Sequence, residues 1–140
     1  MADTIKLHYK VDGSDFTRAG EASANVKKTL RKLGVEPTAI RKVAIALYEG
    51  EINMVIHGGG GEITVLIGSD AITMALCDHG KGIADVEQAM QEGFSTAPDE
   101  VRSLGFGAGM GLPNMKKNST EMRIESTVGV GTNVYMTVLL

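Results

Sequence analysis

The chain has 140 residues, of which 43% are hydrophobic and 22% are charged, and its formal net charge is −3. This composition predicts one soluble globular domain over residues 1–140 and disfavours nucleic acid as a direct partner, because nucleic-acid binders carry a basic surplus. One cysteine excludes an internal disulfide, and no apolar run reaches the roughly 20 residues of a membrane span, so we expect a cytoplasmic protein without membrane contact.

The N-terminal part of the chain predicts one strand and two helices. Alternating apolar and polar residues predict a strand over 5–11. The turn that follows contains Ser14 and Asp15, and either residue can cap a helix that runs to about Leu33. A second helix, over about 37–57, begins with a proline, which suits the first helical turn. At about 1.5 Å per residue this helix is about 30 Å long, enough to span the domain.

The remainder of the chain alternates strand pairs with glycine-rich segments. Four glycines, 58–61, end the second helix, and 85–91 and 113–117 each predict a short helix. The predicted strands are 62–67, 71–77, 122–126 and 133–139. Segment 92–111 has no periodicity, and a loop of that length in a compact domain is usually functional or disordered. Cys77 ends an apolar strand, which favours a buried core thiol over a nucleophile.

The order of these elements predicts the fold class. Because the strands come in adjacent pairs, the sheet should be mixed and mostly antiparallel, with the helices on one face. The expected architecture is a two-layer α/β sandwich of the α+β type. A doubly wound nucleotide-binding fold is not expected, since that fold alternates single strands with helices.

The second helix carries the first candidate constellation, Glu49 and Asn53, with His57 a further turn on. The i, i+4, i+8 spacing places the three side chains along one stripe of the helix. A carboxylate can accept a proton from a hydroxyl, and an amide oxygen can bind Mg²⁺. Taken alone, Glu49 and Asn53 are weak evidence for a site, because exposed helices often carry such polar pairs. His57 taken alone suits a helix end better than a ligand position. Glu51 points about 160° to 200° away from the face of that pair and is expected to face solvent, since each residue turns the helix by about 100°.

The second constellation is the sequence Asp78-His79-Gly80-Lys81-Gly82, directly after an apolar strand. An acidic residue at a strand end can accept a hydrogen bond from an exocyclic amine such as that of adenine. Gly80 and Gly82 allow the backbone to approach a flat base, because they have no Cβ. His79 and Lys81 are expected to be exposed to solvent. The alternative for an isolated match is a simple turn that begins at Asp78.

Two glycine-rich loops form the remaining candidates. The first loop contains Gly105, Gly107, Gly109 and Gly111. Alternating glycines ahead of Leu112-Pro113 and a helix start can present backbone N–H groups to phosphate, although a flexible linker is the alternative. The loop is not a P-loop, and it is a poor dinucleotide fingerprint because no strand directly precedes it. The second loop, 129–131, predicts a tight hairpin that can bring the hydroxyl of Thr132 near a base.

Taken in order, these residues resemble the motifs of the GHKL ATPase superfamily, which includes gyrase and the histidine kinases. The matching series is Glu49…Asn53, Asp78-x-Gly80-x-Gly82, Gly107-x-Gly109-x-Gly111 and Gly131-Thr132. As a set of four motifs the resemblance is highly specific, and it extends from about Arg41 to the C-terminus. It implies the Bergerat-type ATP-binding fold, with ATP and Mg²⁺ as cofactors.

The resemblance also implies a role for each matching residue. Glu49 is the implied general base, and Asn53 is the implied magnesium ligand. The implied ATP-binding residues are Asn53, Asp78, Gly80, Gly82, Gly105, Gly107, Gly109, Gly111, Leu112 and Thr132. Within this set Asp78 would bind the adenine amine, Thr132 would assist at the adenine, and the glycines of 105–111 would close a lid over the phosphates.

Chain length and the segment Glu92-Gly93-Phe94-Ser95-Thr96 resemble the stand-alone anti-sigma-factor and switch-protein serine kinases. The implied activity is a serine/threonine kinase of a bacterial partner-switching module that phosphorylates a STAS-domain antagonist protein. The implied partners extend to a sigma factor, a downstream phosphatase and a second copy of the chain. The same pocket suits an alternative, a nucleotide-dependent anti-sigma module that sequesters its partner without phosphorylating it. The catalytic half of a sensor histidine kinase is not expected, because no dimerisation helix pair precedes the domain in this sequence.

Two features depart from the family pattern. Gly50 follows the implied base, where a better helix former is expected, and glycine costs a helix about 1 kcal/mol. The segment 97–103 is longer than a minimal lid. Both departures affect the expected geometry of the lid more than nucleotide binding.

Overall fold

The computed structural model of the protein describes residues 4–13, 18–56, 59–80, 82–83, 90 and 111–140. In chain order these residues form β1 (Ile5–Asp12), α1 (Glu21–Lys32), α2 (Pro37–Ile56), β2 (Gly60–Ile67), β3 (Ala71–Asp78), α3 (Gly111–Lys117), β4 (Glu121–Thr127) and β5 (Gly131–Leu139). Every one of these elements was predicted, and the strand ends agree to within two residues. The predicted helix over 85–91 and the predicted loop up to residue 110 lie outside the described residues, apart from Met90.

The five strands form one sheet in the order β1-β2-β3-β5-β4, and every neighbouring pair is antiparallel. The register decides which side chains share a face. Leu7 lies opposite Val65, Val65 opposite Met74, and Met74 opposite Met136. Residues opposite each other in a ladder project to the same face, so this row forms part of one apolar surface. The sheet is antiparallel in all its described pairs, in agreement with the expectation of a mostly antiparallel sheet.

The helices cover the apolar face of the sheet. α2 contacts β1, β2, β3 and β5, while α1 packs against α2 and α3 packs against both α2 and β4. The core lies between the helices and the sheet. Its largest fully buried side chains are Val26, Leu30, Val43, Leu47, Met54, Ile63, Val65, Ile72, Met74, Leu76, Met115 and Met136. The predicted two-layer sandwich with helices on one face is therefore confirmed. Within the described ranges, none of the helices combines the length and hydrophobicity that crossing a bilayer requires.

Helix α1 begins later than predicted and is capped by a different residue. Its first helical residue is Glu21, so neither Ser14 nor Asp15 caps it, and residues 14–17 lie outside the described residues. Gly20 precedes the helix in a left-handed conformation and supplies no side-chain cap. The first-turn N–H groups are instead bound by the carboxylate of Glu51, which belongs to α2.

The position of Glu51 contradicts the prediction that it faces solvent. The residue is only 2% exposed. Its Oε2 accepts hydrogen bonds from the N–H groups of Gly20 (2.9 Å) and Ala22 (3.1 Å), and its Oε1 accepts one from Ser23 (3.0 Å). The helical angle correctly separated Glu51 from Glu49, but it could not show that α1 covers this side of α2. A buried carboxylate at the positive end of a helix is stabilised by these donors and by the helix dipole.

The packing around Gly50 explains why a glycine follows the candidate base. A Cβ at this position would lie 2.4 Å from Cδ2 of Leu76 and 3.2 Å from the sulfur of Met115. Both neighbours are fully buried, so they have little room to move. The loss of helix propensity at Gly50 is therefore offset by close approach of α2 to β3 and α3.

Cys77 is not a core residue, contrary to the prediction. The thiol is half-buried. It lies opposite Glu62 and Asn133, in the row that alternates with the buried residues of the sheet. Burial raises the pKa of the Cys77 thiol, and the nearby carboxylates of Asp78, Glu62 and Glu125 raise it further. A raised pKa keeps the thiol protonated at neutral pH, which agrees with the expectation that it is not a nucleophile.

Candidate functional site

Asn53 lies against the first residue of α3. A Cβ added to Gly111 would lie 3.1 Å from Nδ2 and 3.2 Å from Oδ1 of Asn53. The side-chain amide of Asn53 makes no hydrogen bond to the part of the chain that the structure describes, so its oxygen is available to a ligand. Two residues that the sequence placed in one site, 53 and 111, are therefore in contact, and a side chain at 111 would require Asn53 to shift by a few tenths of an ångström.

Asn114 joins this end of the site, although the sequence did not indicate it. Its side-chain Nδ2 donates to Oε1 of Glu49 over 3.5 Å, a long contact that bridges α3 and α2. Asn114 is three residues after Gly111 in the same helix, so the two positions share a face. The sequence could have indicated Asn114 through this spacing of three residues, because the helix face that carries Gly111 also carries residue 114.

Asp78 organises the other end of the site. Its Oδ1 accepts hydrogen bonds from the N–H groups of Gly80 (2.9 Å) and Thr132 (3.2 Å). Oδ2 accepts none from the described residues, so it is available to a donor from outside the chain. The strand register places Asp78 directly opposite Thr132 of β5, so these two candidate residues are neighbours.

A second hydroxyl, that of Ser126, lies beside Thr132. The two hydroxyl oxygens are 2.8 Å apart. Ser126 Oγ also accepts the N–H of Ile83 at 2.7 Å and lies 3.3 Å from the carbonyl oxygen of Gly131. Ser126 thus ties the segment after Asp78 to the β4–β5 hairpin. The sequence offered no signal for it, because only the strand register places Ser126 opposite Thr132.

Gly82 and Gly131 are required for these close approaches. Gly82 has φ +79°, and a Cβ there would lie 2.4 Å from the carbonyl oxygen of Thr127. Gly131 has φ +148°, and its Cβ would lie 2.2 Å from the carbonyl oxygen of Asp78. Side chains cannot be accommodated at either position, so both glycines have structural as well as candidate ligand-binding roles. Gly80 also contributes to this geometry, because its N–H donates a hydrogen bond to Asp78.

The two ends of the site lie on the same side of the molecule. Gly50 packs on Leu76 of β3, and both α2 and β3 continue from this contact to their C-terminal ends. One turn further along α2, the side chain of Met54 lies beside Gly61 of β2, and the backbone of Asp78 lies beside the same glycine. The carboxyl ends of α2 and β3 are therefore adjacent, which places Asn53 and Asp78 on one edge of the sandwich.

Glu49 also faces an open groove between α1 and α2. The groove has a volume of about 460 Å³. It is lined by Ala19, Gly20, Ser23, Ala24, Lys27, Ala44, Ile45, Tyr48 and Glu49. Small residues form much of this lining, and the exposed side chains of Ile45 and Tyr48 add apolar surface. Glu49 therefore lines the groove and is also contacted by Asn114 of α3.

Asn53 is the residue that the sequence predicts as a magnesium ligand. Among the described residues there is no cluster of three or more histidine, cysteine or acidic side chains that could hold a metal by itself. Mg²⁺ is usually bound by one or two protein oxygens together with substrate phosphates and water. The amide oxygen of Asn53 can supply such a ligand.

Sequence comparison decides the family. A model of the histidine kinase-like ATPase domain matches residues 14–138 of the chain. The chain belongs to the histidine kinase-like ATPase domain family. It is therefore an ATP-binding domain of the GHKL type, as the motif series implied.

Relatives of this chain are named as anti-sigma factors. The anti-sigma F factor of Thermoanaerobacter sp. is 38% identical over 110 residues, which cover 74% of this chain and 73% of that protein. The anti-sigma F factor of Clostridium acetobutylicum is 30% identical over 139 residues, covering 94% of this chain and 89% of that protein. Within the ATPase family, the chain thus belongs to the group that contains the anti-sigma factors.

A solved structure supports the fold. The RsbU and RsbW domains of Rv1364c from Mycobacterium tuberculosis superpose with a TM-score of 0.62 at 19% identity. The match covers 96% of this chain and 32% of that longer chain, so this chain spans about a third of it. The histidine kinase-like ATPase fold is therefore confirmed.

Several candidate residues remain predictions, because they lie outside the residues that the structure describes. His57, Lys81, Gly105, Gly107 and Gly109 lie outside the described residues. His79 is exposed, as expected. Leu112 is buried against the core at the start of α3, where it anchors the helix that follows Gly111.

Proposed function

We propose that this protein is an ATP-dependent serine/threonine kinase of a bacterial partner-switching module, with a STAS-domain antagonist protein as the acceptor. The position of Glu49 carries the proposal. Its carboxylate contacts Asn114, and the residue also lines the open groove. An acceptor hydroxyl that enters through the groove reaches Glu49, while the nucleotide occupies the side of Asn53. The anti-sigma F factor names of the relatives support the same regulatory setting.

In the proposed reaction, Glu49 takes the proton of the acceptor hydroxyl as the hydroxyl oxygen bonds to the γ-phosphorus of ATP. The bond from the γ-phosphorus to the β,γ-bridging oxygen breaks, and ADP leaves with that electron pair. Asp78 accepts a hydrogen bond from the adenine amine and so fixes the position of the nucleotide. Backbone N–H groups of 105–111 bind the phosphates. A magnesium ion held by the oxygen of Asn53 would offset the negative charge on the phosphate oxygens.

The substitution Glu49→Gln tests the proposed base. The variant is expected to bind ATP as wild type does but to transfer phosphate about 10²- to 10⁴-fold more slowly, because general-base catalysis contributes about that factor. The measurement is transfer of label from γ-labelled ATP to a panel of STAS-domain proteins from the same organism. Glu36→Gln, an exposed glutamate before α2, is the matched control and should retain wild-type transfer. Wild-type transfer by Glu49→Gln contradicts the assignment of the base.

The relatives' name favours a second candidate function, sequestration of a sigma factor without phosphoryl transfer. Both functions require the same nucleotide pocket, so ATP binding does not separate them. The labelling assay does, since only a kinase leaves label on the partner protein. A sequestering module is expected to bind a sigma factor more tightly with Mg-ATP than without it and to leave the STAS-domain protein unlabelled. Label on the STAS-domain protein contradicts pure sequestration.

A further inference from the structure

The groove between α1 and α2 carries opposite charges at its two ends. Gly20, at the start of α1, lies beside Tyr48 of α2, since a Cβ at Gly20 would be 3.0 Å from Cε1 of that ring. The other end of α1 is joined to the start of α2 by the short connection 33–36. The two helices are therefore antiparallel, and the groove runs between them from the level of Glu49 toward the start of α2.

The charge at the far end of the groove comes from both helices. Lys27 is the one cation among the described residues that line the groove, and Glu49 is the one acid. Lys27 follows Gly20 by seven residues, which is about 10 Å along a helix at about 1.5 Å per residue. Arg41 precedes Tyr48 by the same seven residues. Because the helices are antiparallel, Lys27 and Arg41 reach the same level from the two sides of the groove.

Arg31 extends this cationic end. It follows Lys27 by four residues, and Arg41 precedes Ile45 by four, a spacing that keeps side chains on one face of a helix. Arg31 and Arg41 are exposed, and Lys27 is half-buried. None of the three forms an ion pair or a side-chain hydrogen bond with the part of the chain that the structure describes. Lys27, Arg31 and Arg41 are called the basic end of the groove below.

We propose that the basic end of the groove docks an acidic side chain of the acceptor protein, about 10 Å from the hydroxyl that Glu49 receives. Clustered cations without acidic neighbours attract a carboxylate, and the net charge of −3 makes this attraction local to the groove. Between the two ends, small residues such as Ala24 and Ala44 line the groove and leave room for a segment of the partner. The inference rests on the proposed function, because the acceptor has to enter this groove to reach Glu49.

The kinetics of label transfer from γ-labelled ATP, measured on the full chain with an acceptor that wild type labels, test the proposal. In Lys27→Glu/Arg31→Glu we expect KM for the acceptor to rise at least about tenfold, because two attractions become repulsions. Both residues lie at the end of the groove away from Glu49, so kcat and the affinity for ATP should stay within about twofold of wild type.

The matched control is Lys28→Glu/Lys32→Glu. It makes the same change in charge on exposed residues one position further along α1, turned by about 100° from Lys27 and Arg31. At about 0.15 M salt, exposed charges more than about 8 Å apart are largely screened, so the control should keep KM within about twofold of wild type.

Two further measurements do not depend on the α1 variant. Arg41→Glu changes one exposed side chain of α2 and should raise KM about threefold. On the acceptor, the labelled hydroxyl is mapped, and acidic residues about 10 Å from it are replaced by alanine one at a time. One replacement should raise KM with wild type but have little effect with Lys27→Glu/Arg31→Glu, because a contact already lost cannot be lost again. If the double variant does not fold, Arg41→Glu takes its place in this comparison.

Several results would overturn the proposal. An unchanged KM in Lys27→Glu/Arg31→Glu would do so, as would an equal rise in KM in the Lys28→Glu/Lys32→Glu control. A loss of kcat or of ATP affinity at unchanged KM would place the effect in the nucleotide site instead. Altered sedimentation at unchanged KM would assign the basic end of the groove to a second copy of the chain. If wild type labels no STAS-domain protein, the proposed function itself is wrong, and the docking inference is wrong with it.

Discussion

Replacing Glu51 by glutamine removes the charge that binds the N-terminus of α1 but preserves the volume of the side chain. In the native protein the carboxylate accepts three N–H groups, from Gly20, Ala22 and Ser23, at 2.9–3.1 Å. A glutamine has one acceptor oxygen and an NH₂ group that can only donate. At least one of the three N–H groups therefore loses its acceptor and faces another donor in a buried environment.

The size of the effect follows from these contacts. A hydrogen bond to a charged group contributes about 1.5–3 kcal/mol, and a buried donor left without a partner costs about 1–3 kcal/mol. The attraction between a carboxylate and the positive end of a helix adds about 0.3–1 kcal/mol. We expect Glu51→Gln to lower the free energy of unfolding by about 2–4 kcal/mol. That is a large share of the roughly 7–20 kcal/mol typical of a domain of 140 residues.

Urea unfolding followed by far-UV circular dichroism measures this change. Glu49→Gln is the matched control, because the same substitution two residues earlier affects a half-buried carboxylate with a single long contact to Asn114. That control should stay within about 0.5–1 kcal/mol of wild type. The two variants therefore separate stability from the proposed catalysis, since we expect Glu51→Gln to weaken the fold and Glu49→Gln to weaken the proposed phosphoryl transfer. A Glu51→Gln variant as stable as the control would refute the capping role.

Two further predictions concern the site. Asn114→Asp places a second carboxylate next to Glu49 and removes the N–H donor of that contact, so we expect it to slow the proposed phosphoryl transfer. Transfer of label from γ-labelled ATP measures this change, and transfer at the wild-type rate would contradict the contact. Gly131→Ala places a Cβ 2.2 Å from the carbonyl oxygen of Asp78 and should lower the free energy of unfolding by about 2–4 kcal/mol. Gly129→Ala, with φ +81° and no atom within 4 Å of its Cβ, should cost only about 1–2 kcal/mol in the same urea assay, and equal losses would contradict the clash.

Patterns within single elements determined much of what the sequence alone could predict. Alternation of apolar residues located all five strands, and adjacent strand pairs predicted the two-layer sandwich. The i, i+4 spacing of Glu49 and Asn53 and the glycine motifs led to the ATPase family. These predictions succeeded because strand and helix periodicity depends on neighbours close in sequence.

Contacts between distant segments were decided only by the tertiary structure. Glu51 is buried because α1, about 30 residues earlier in the chain, covers its side of α2. Asn114 contacts a carboxylate that is 65 residues away in sequence, and Ser126 meets Ile83 across 43 residues. A helical or strand period gives the direction of a side chain from its own backbone, but which segment fills the space in that direction depends on how the whole chain packs.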